Sequence, residues 1–482
     1  MIDVETKIHD KFSIEFKIWF SGQESSKKND FSLNSWIFVP NSLDVNKNTY
    51  DKERFYKDMR SNIRLITPVF KLNDIVENQA IPLNNVKTSF QNILNENSDK
   101  NLIDLEFQLK LFGAIFKSAV RNNVNSINSN IKNPNAAEHC FNYIDGVKTI
   151  FKKYRELYSL AKKTHDENII SLYAFTDEFM SHQVEMRTIR IIKAIDRQKD
   201  TSLDKARKHI ADFIIKEQEY KRKQGYKLAA KNKDDSNKEL LYRRSLLKKY
   251  IESSLYLKID KTEDGKAIQQ VSFSLAAGLA MLVYSLVALI FQKHFGSYPA
   301  LIFILLVAAY VLKDRIKDLT RWIFAKKLKD KYFDIRNDIS IKKKKIGWIK
   351  EGVDFITDEK VPAEIMKMRN RSQLETNNDF FDEKIILYRK KVSIDNEMLK
   401  NHYDYDFKGI NDISRFNINY LKKRMDNPVV PVDYIDDNME IKTVSAERVY
   451  TLIFILQCIT GDSVQYKAFR MTANRDGIIS IE

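Results

Sequence analysis

The residues whose types and spacing could do chemistry sit near the carboxyl end. Asp433 is followed by Glu440, Ile441 and Lys442. An aspartate, then a glutamate and a lysine two apart on a strand, is an arrangement with which some nucleases hold a divalent metal and orient a water, and carboxylate oxygens suit Mg²⁺. Glu440 and Lys442 also alternate as any solvated strand face does, and no further acidic ligand is fixed by the pattern. A second group, His402, Asp404 and Asp406 in NHYDYDF, could share one side of an extended segment, but a polar loop accounts for it equally well. The solvated-surface reading is preferred for both. Asp433, Glu440 and Lys442 remain the metal candidates, and no metal or catalytic site is assigned.

Other chemistry has less to stand on. The 12 glycines include no GxxxxGK[ST] or GxGxxG spacing, so the backbone nest of a phosphate-cradling loop is absent. Neither a GxSxG elbow nor an HExxH helix occurs. The 7 histidines are scattered, and Cys140 and Cys458 lie far apart without a CxxC pattern, which fits a reducing compartment. No cofactor is expected, and the chain reads more as a non-enzymatic protein than as an enzyme.

The stretch that organises everything else lies in mid-chain. Val271–Phe291 carries no charge and, after Gln292-Lys293-His294, neither does Phe295–Leu312. As helices these runs span about 31 Å and about 27 Å, against a hydrocarbon core of about 30 Å. A membrane span must satisfy its own backbone hydrogen bonds, so 271–312 is expected to be a transmembrane helical hairpin. Pro299 suits a first helical turn. Ala276, Ala277, Gly278 and Ala280 would allow close helix approach and, through it, a homo-oligomer.

Charge orients this hairpin. Lys313, Arg315, Lys317, Arg321, Lys326, Lys327, Lys329 and Lys331 follow it, with Trp322 among them, whereas its loop offers only Lys293 and a neutral His294. Basic flanks mark the cytoplasmic side, so both termini are expected there, at the inner (plasma) membrane. The same residues are the expected contact with an anionic inner leaflet, where each is worth about 1 kcal/mol. That explains the net charge of +16 and the run Lys342–Lys345 without a nucleic-acid partner, which is not expected.

In chain order, residues 1–98 read as a small α+β unit. Phe12, Ile14, Phe16, Ile18 and Phe20 alternate with polar residues as a half-buried strand does; Phe31–Val39 would pair with it as a hairpin, and Asp51–Leu65 reads as helix. Residues 99–258 read as a helical bundle or coiled-coil stalk, with Leu102, Leu105, Leu109, Phe112, Phe116 and Val120 along one face. Residues 313–345 form a basic juxtamembrane helix. Residues 346–482 form an α+β domain with a mainly antiparallel sheet, a short helix over Asp412–Met425, and a closing hairpin at Asn474-Arg475-Asp476-Gly477.

Within that last domain, ISRFNINYLKKRMDNP, ERVYTLIFIL and TANRDGIISIE resemble the tail of uncharacterised bacterial proteins with a paired membrane span. The resemblance implies a bacterial membrane protein and brings no activity, cofactor or site residue with it. Three functions are compatible with these features. The first is a membrane-anchored scaffold, sensor or interaction protein with an unknown protein partner. The second is an oligomeric channel or membrane-disrupting effector. The third is a membrane-tethered metal-dependent nuclease or hydrolase.

Overall fold

The computed structural model describes residues 1–22, 26–75, 81–198, 201–231, 234–295, 299–329, 332–341, 344–371, 383–400 and 405–482. Its strands are β1 (Ile2–Asp10), β2 (Ser13–Ser21), β3 (Lys28–Pro40), β4 (Met59–Leu65), β5 (Lys258–Glu263), β6 (Ile335–Ile341), β7 (Lys344–Ile356), β8 (Glu383–Asp395), β9 (Gly409–Asn417), β10 (Val429–Ile435), β11 (Ile441–Glu447), β12 (Tyr450–Thr460), β13 (Ser463–Asn474) and β14 (Gly477–Ile481). The helices that matter below are α1 (Lys52–Asp58), α2 (Ile81–Asn95), α3 (Asp99–Ser129), α4 (Ala136–Glu156), α5 (Tyr158–Lys163), α6 (Glu167–Gln198), α7 (Asp204–Lys223), α8 (Asp234–Glu252), α9 (Lys266–Phe295), α10 (Pro299–Lys329) and α11 (Ala363–Arg369). The chain divides into two compact units, one of Met1–Ile63, Leu257–Glu397 and Asn411–Glu482, the other of Arg64–Tyr256 and Met398–Ile410.

In the first unit an eight-stranded sheet runs β14-β13-β12-β3-β8-β7-β6-β5, and a four-stranded sheet runs β1-β2-β9-β4. Antiparallel pairing sets which side chains share a face. Ile455 lies opposite Trp36, and Trp36 opposite Leu387; this face packs on Val361 and on Ile365 of α11. The other face carries Phe454, Leu33, Tyr388 and Lys390 toward the smaller sheet, where Phe454 meets Phe16 at 5.4 Å and Phe416 at 5.8 Å between ring centroids. The second unit is helical. Ser98 caps α3 by accepting a bond from the Asn101 amide. Behind that cap Leu105, Leu109, Phe112, Phe116 and Val120 are fully buried, and Phe112 stacks on Tyr154 of α4.

Several expectations are corrected. The amino- and carboxyl-terminal α+β parts are not separate: β3 sits between β12 and β8 in one sheet. No hairpin joins β2 to β3, because β2 pairs with β1 and β9 in the smaller sheet. Asp51–Leu65 is helical only through Asp58 and then forms β4, Asp412 begins no helix but lies inside β9, and the basic helix expected over 313–345 ends at Lys329, with β6 and the start of β7 in its last part.

The fold class of a two-span transmembrane hairpin is likewise overturned. Among the described residues one stretch, Gln270–Lys293, is long and apolar enough to cross a membrane. The second helix begins at Pro299 and meets Lys313-Asp314-Arg315 within a few turns. Its uncharged part is therefore about 21 Å long, well short of a hydrocarbon core. The molecule is a mixed α/β protein with extensive antiparallel sheet.

Candidate functional site

Strands β5 and β6 are neighbours at one end of the large sheet, with Glu263 opposite Ile335. The chain leaves this edge as α9 and returns to it through α10, so the two helices form an arm. Contacts along the arm run antiparallel. Arg321 lies 5.5 Å from the Phe273 ring, Tyr284 meets Tyr310 edge-on at 6.5 Å, and the Lys313 ammonium sits 3.7 Å from the Tyr310 ring.

Small residues let the helices approach. Among the described residues Ala276, Ala280 and Ala309 are buried in the pair, so two of the residues expected to serve a homo-oligomer pack inside the chain. Gly278 faces open space. Around the remaining surface of α9, Leu275, Leu279, Leu282, Leu286 and Leu289 are all more than half exposed, and 11% of its most apolar window is buried within the chain.

The expected basic contact residues follow on α10. Arg315 and Trp322 are exposed, Lys317 is 3.3 Å from Asp314, and Lys313 and Arg321 lie over the rings named above. The side chains of Lys326, Lys327 and Lys329, and Lys331 altogether, lie outside the described residues. So do Lys342 and Lys343, while Lys345 is paired with Asp338 at 2.8 Å.

The expected metal residues are not drawn into one site. Asp433 and Lys442 lie on the exposed two-stranded ribbon β10–β11, where Asp433 stands opposite Thr443 and accepts its hydroxyl at 2.7 Å. Lys442 pairs with Asp436, whose carboxylate also takes the Glu440 amide at 3.0 Å. Glu440 is exposed just before β11, and Asp406 is exposed; His402 and Asp404 lie outside the described residues. Among the described residues no group of three histidine, cysteine or acidic side chains could hold a metal ion.

Two buried ionic clusters went unread in the sequence. In the first unit Lys390, fully buried, reaches from β8 across to Asp412 of β9 and lies 3.0 Å from Glu351 of β7. Burial opposes the charged form of this lysine, but Asp412, Tyr388 and Glu351 outweigh it and hold its pKa well above the usual value. Tyr388 donates to Glu351 at 3.0 Å, and Ser414 donates to Asp412 at 2.9 Å.

In the helical unit, α6 presents Asp177, Glu178, Ser181, His182 and Glu185 to its neighbours. Arg155 binds Asp177 at 3.1 Å and Glu217 at 2.6 Å; Lys221 binds Glu185 at 2.7 Å; Arg243 binds Glu178 at 2.6 Å. His182 lies 3.0 Å from Lys221 and 3.5 Å from Glu178, and burial pushes its pKa down. Each of these carboxylates thus meets a cation, Asp177 and Glu217 sharing Arg155. The signal in the sequence was polar residues at three- and four-residue steps on the otherwise apolar face of α6.

A two-sheet unit that extends a helical arm, together with a helical unit that pairs buried carboxylates with cations, defines the class: a mixed α/β protein with an apolar, largely uncovered helix. No protein-family model, curated protein or solved structure matches the chain.

Proposed function

We propose that the protein is a non-catalytic, membrane-associated interaction protein whose arm dips into one face of a bilayer without crossing it. The observation that carries this reading is α9, whose exposed side chains over Val271–Phe291 are apolar but for Ser274 and Ser285, and which is scarcely covered by its own chain. Side chains such as Leu282 and Leu289, 61% and 67% exposed, would each gain roughly 1.5–3 kcal/mol on leaving water. The β5–β6 pairing keeps both ends of the arm at one sheet edge, so the folded body stays on one side of the lipid. The basic residues Lys313, Arg315, Lys317 and Arg321 then fall at headgroup level, where an anionic leaflet attracts them. The folded body is left free to meet a protein partner.

Flotation of the purified chain with anionic vesicles tests the reading. The protein should rise with the vesicles, and Leu289→Arg should weaken this about tenfold or more, since it forfeits the roughly 1.5–3 kcal/mol of a leucine leaving water. A chain that stays in the aqueous fraction, or a variant that floats as well as the parent, overturns it.

A further inference from the structure

Independently of that reading, we infer that the cleft beside β4, β5 and β6 in the first unit binds a phosphate group. The cleft encloses about 530 Å³, enough for a phosphate and the small group it esterifies. Its floor comes from the large sheet. Lys261 of β5 and Asn337 of β6 are directly opposite in the antiparallel register, which brings their Cβ atoms to about 5 Å on one face. Its rim comes from Arg60 on β4 and Arg415 on β9.

What distinguishes this cleft is which of its groups are still free. Asn337 is 8% exposed, and its side-chain amide has no hydrogen-bond partner among the described residues. Its amide keeps contact with solvent and is free to bond a group entering the cleft. Lys261 has no carboxylate partner among the described residues and lies 5.8 Å from the Tyr56 ring. Arg60 has none either; its Nε is 3.5 Å from the Lys57 carbonyl oxygen. Arg415 gives its Nε to Glu15 at 2.9 Å, which fixes the guanidinium and leaves its terminal nitrogens uncommitted.

The acceptors in the walls are already spent. Glu351 takes Lys390 and the Tyr388 hydroxyl, both at 3.0 Å, and the Tyr56 hydroxyl donates to Asp334 at 3.0 Å. Apart from the Glu15 bond to Arg415 and the neighbouring Asp58 beside Arg60, the cleft therefore offers cationic and amide donors that no carboxylate among the described residues binds. A phosphate group, with three acceptor oxygens and a charge near −2, matches that set; a neutral ligand would leave the cations unanswered. The phosphate could belong to a free phosphate or phosphomonoester, or to a lipid headgroup, since β5 leads directly into the arm.

The test uses the full chain in non-ionic detergent, with inorganic phosphate as titrant followed by calorimetry. A parallel arm floats it on phosphatidylcholine vesicles with and without phosphatidic acid. Lys261 and Arg60 are exposed, so Lys261→Ala and Arg60→Ala should fold, and each should weaken phosphate binding about tenfold, the loss of one charge-assisted bond. Lys57→Ala, an exposed cation outside the cleft, should change nothing. Phosphate binding of this pattern with no added effect of phosphatidic acid assigns the site to free phosphates. A phosphatidic-acid effect that depends on Lys261 and Arg60 assigns it to a headgroup. The inference is overturned if neither probe binds, or if Lys57→Ala loses as much as the cleft variants. Because the titration needs no vesicle, failed flotation sinks the membrane reading alone.

Discussion

Replacing Lys390 with methionine isolates the energetics of the first unit. The ammonium lies 3.0 Å from Glu351 and bridges to Asp412 across the two sheets, and its side chain is fully buried. At an effective dielectric near 20, a pair at that distance attracts by roughly 5–6 kcal/mol, and desolvation of the ions consumes a large part of it. Methionine fills similar volume, so packing loss adds little. The damage comes from carboxylates left buried without a cation, which costs about 3–5 kcal/mol. For a unit of this size that is a fall in Tm of roughly 6–20 °C. Trp19, Trp36 and Trp348 all lie in strands of the first unit, and the helical unit has no tryptophan, so fluorescence melts report the first unit alone. The double variant Lys390→Met/Asp412→Leu should recover part of the loss, because it removes both ends of the inter-sheet pair while Glu351 stays buried without its cation. A single variant within about 0.5 kcal/mol of the parent, or a double variant as unstable as the single, would refute a charge held in place by its partners.

Two further outcomes follow from particular residues. Burial lowers the pKa of His182, and its contact with Glu178 only partly opposes this. The unfolded chain, with its histidine at the ordinary 6.5, therefore binds more protons than the folded one as pH falls through that value. Stability of the helical unit should drop below about pH 6.5, by at most about 1.4 kcal/mol per pH unit, and His182→Gln should flatten the slope in helical circular dichroism; an unchanged slope counts against it. Gly477 has φ of +148°, and a Cβ there would lie 2.5 Å from the Lys11 carbonyl oxygen. Gly477→Ala should cost about 1–3 kcal/mol in a tryptophan-detected melt, and a neutral substitution would contradict the close approach.

Local pattern carried a good part of this fold. The alternation over Ile14, Phe16, Ile18 and Phe20 is β2 with those side chains buried, and the α3 stripe from Leu105 to Val120 is a core face. The turn at Asn474–Gly477 joins β13 to β14, with the Asn474 side chain accepting the Asp476 and Gly477 amides. Strand partners were not legible, because Phe38 opposite Ile453 is a pairing between the two ends of the chain that neither segment records. Strand β9 was misread for a different reason. Its inward positions Ile410, Asp412, Ser414 and Phe416 are all buried, but two are polar and belong to the Lys390 cluster. The period-two signal was erased by the residues that make the cluster. Lys390 was hidden in the same way within a strand whose neighbours, Arg389 and Lys391, are also basic.

The distribution of charge separates the parts that hold the protein together from the parts open to a ligand. In the helical core Arg155, Lys221 and Arg243 each meet a carboxylate, and between the sheets Lys390 meets two. A buried ion pair complete in this way resists an incoming ligand, which would have to displace a partner and leave a charge uncompensated. The uncommitted donors Arg60, Lys261 and Asn337 lie instead around one cleft, and the basic end of α10 adjoins the uncovered apolar helix. Both places sit at the β5–β6 edge, one lined by β5 and the other continuous with it. The β5–β6 edge thus combines uncommitted donors with uncovered apolar surface, and that coincidence favours an anionic surface or phosphate over a neutral partner there.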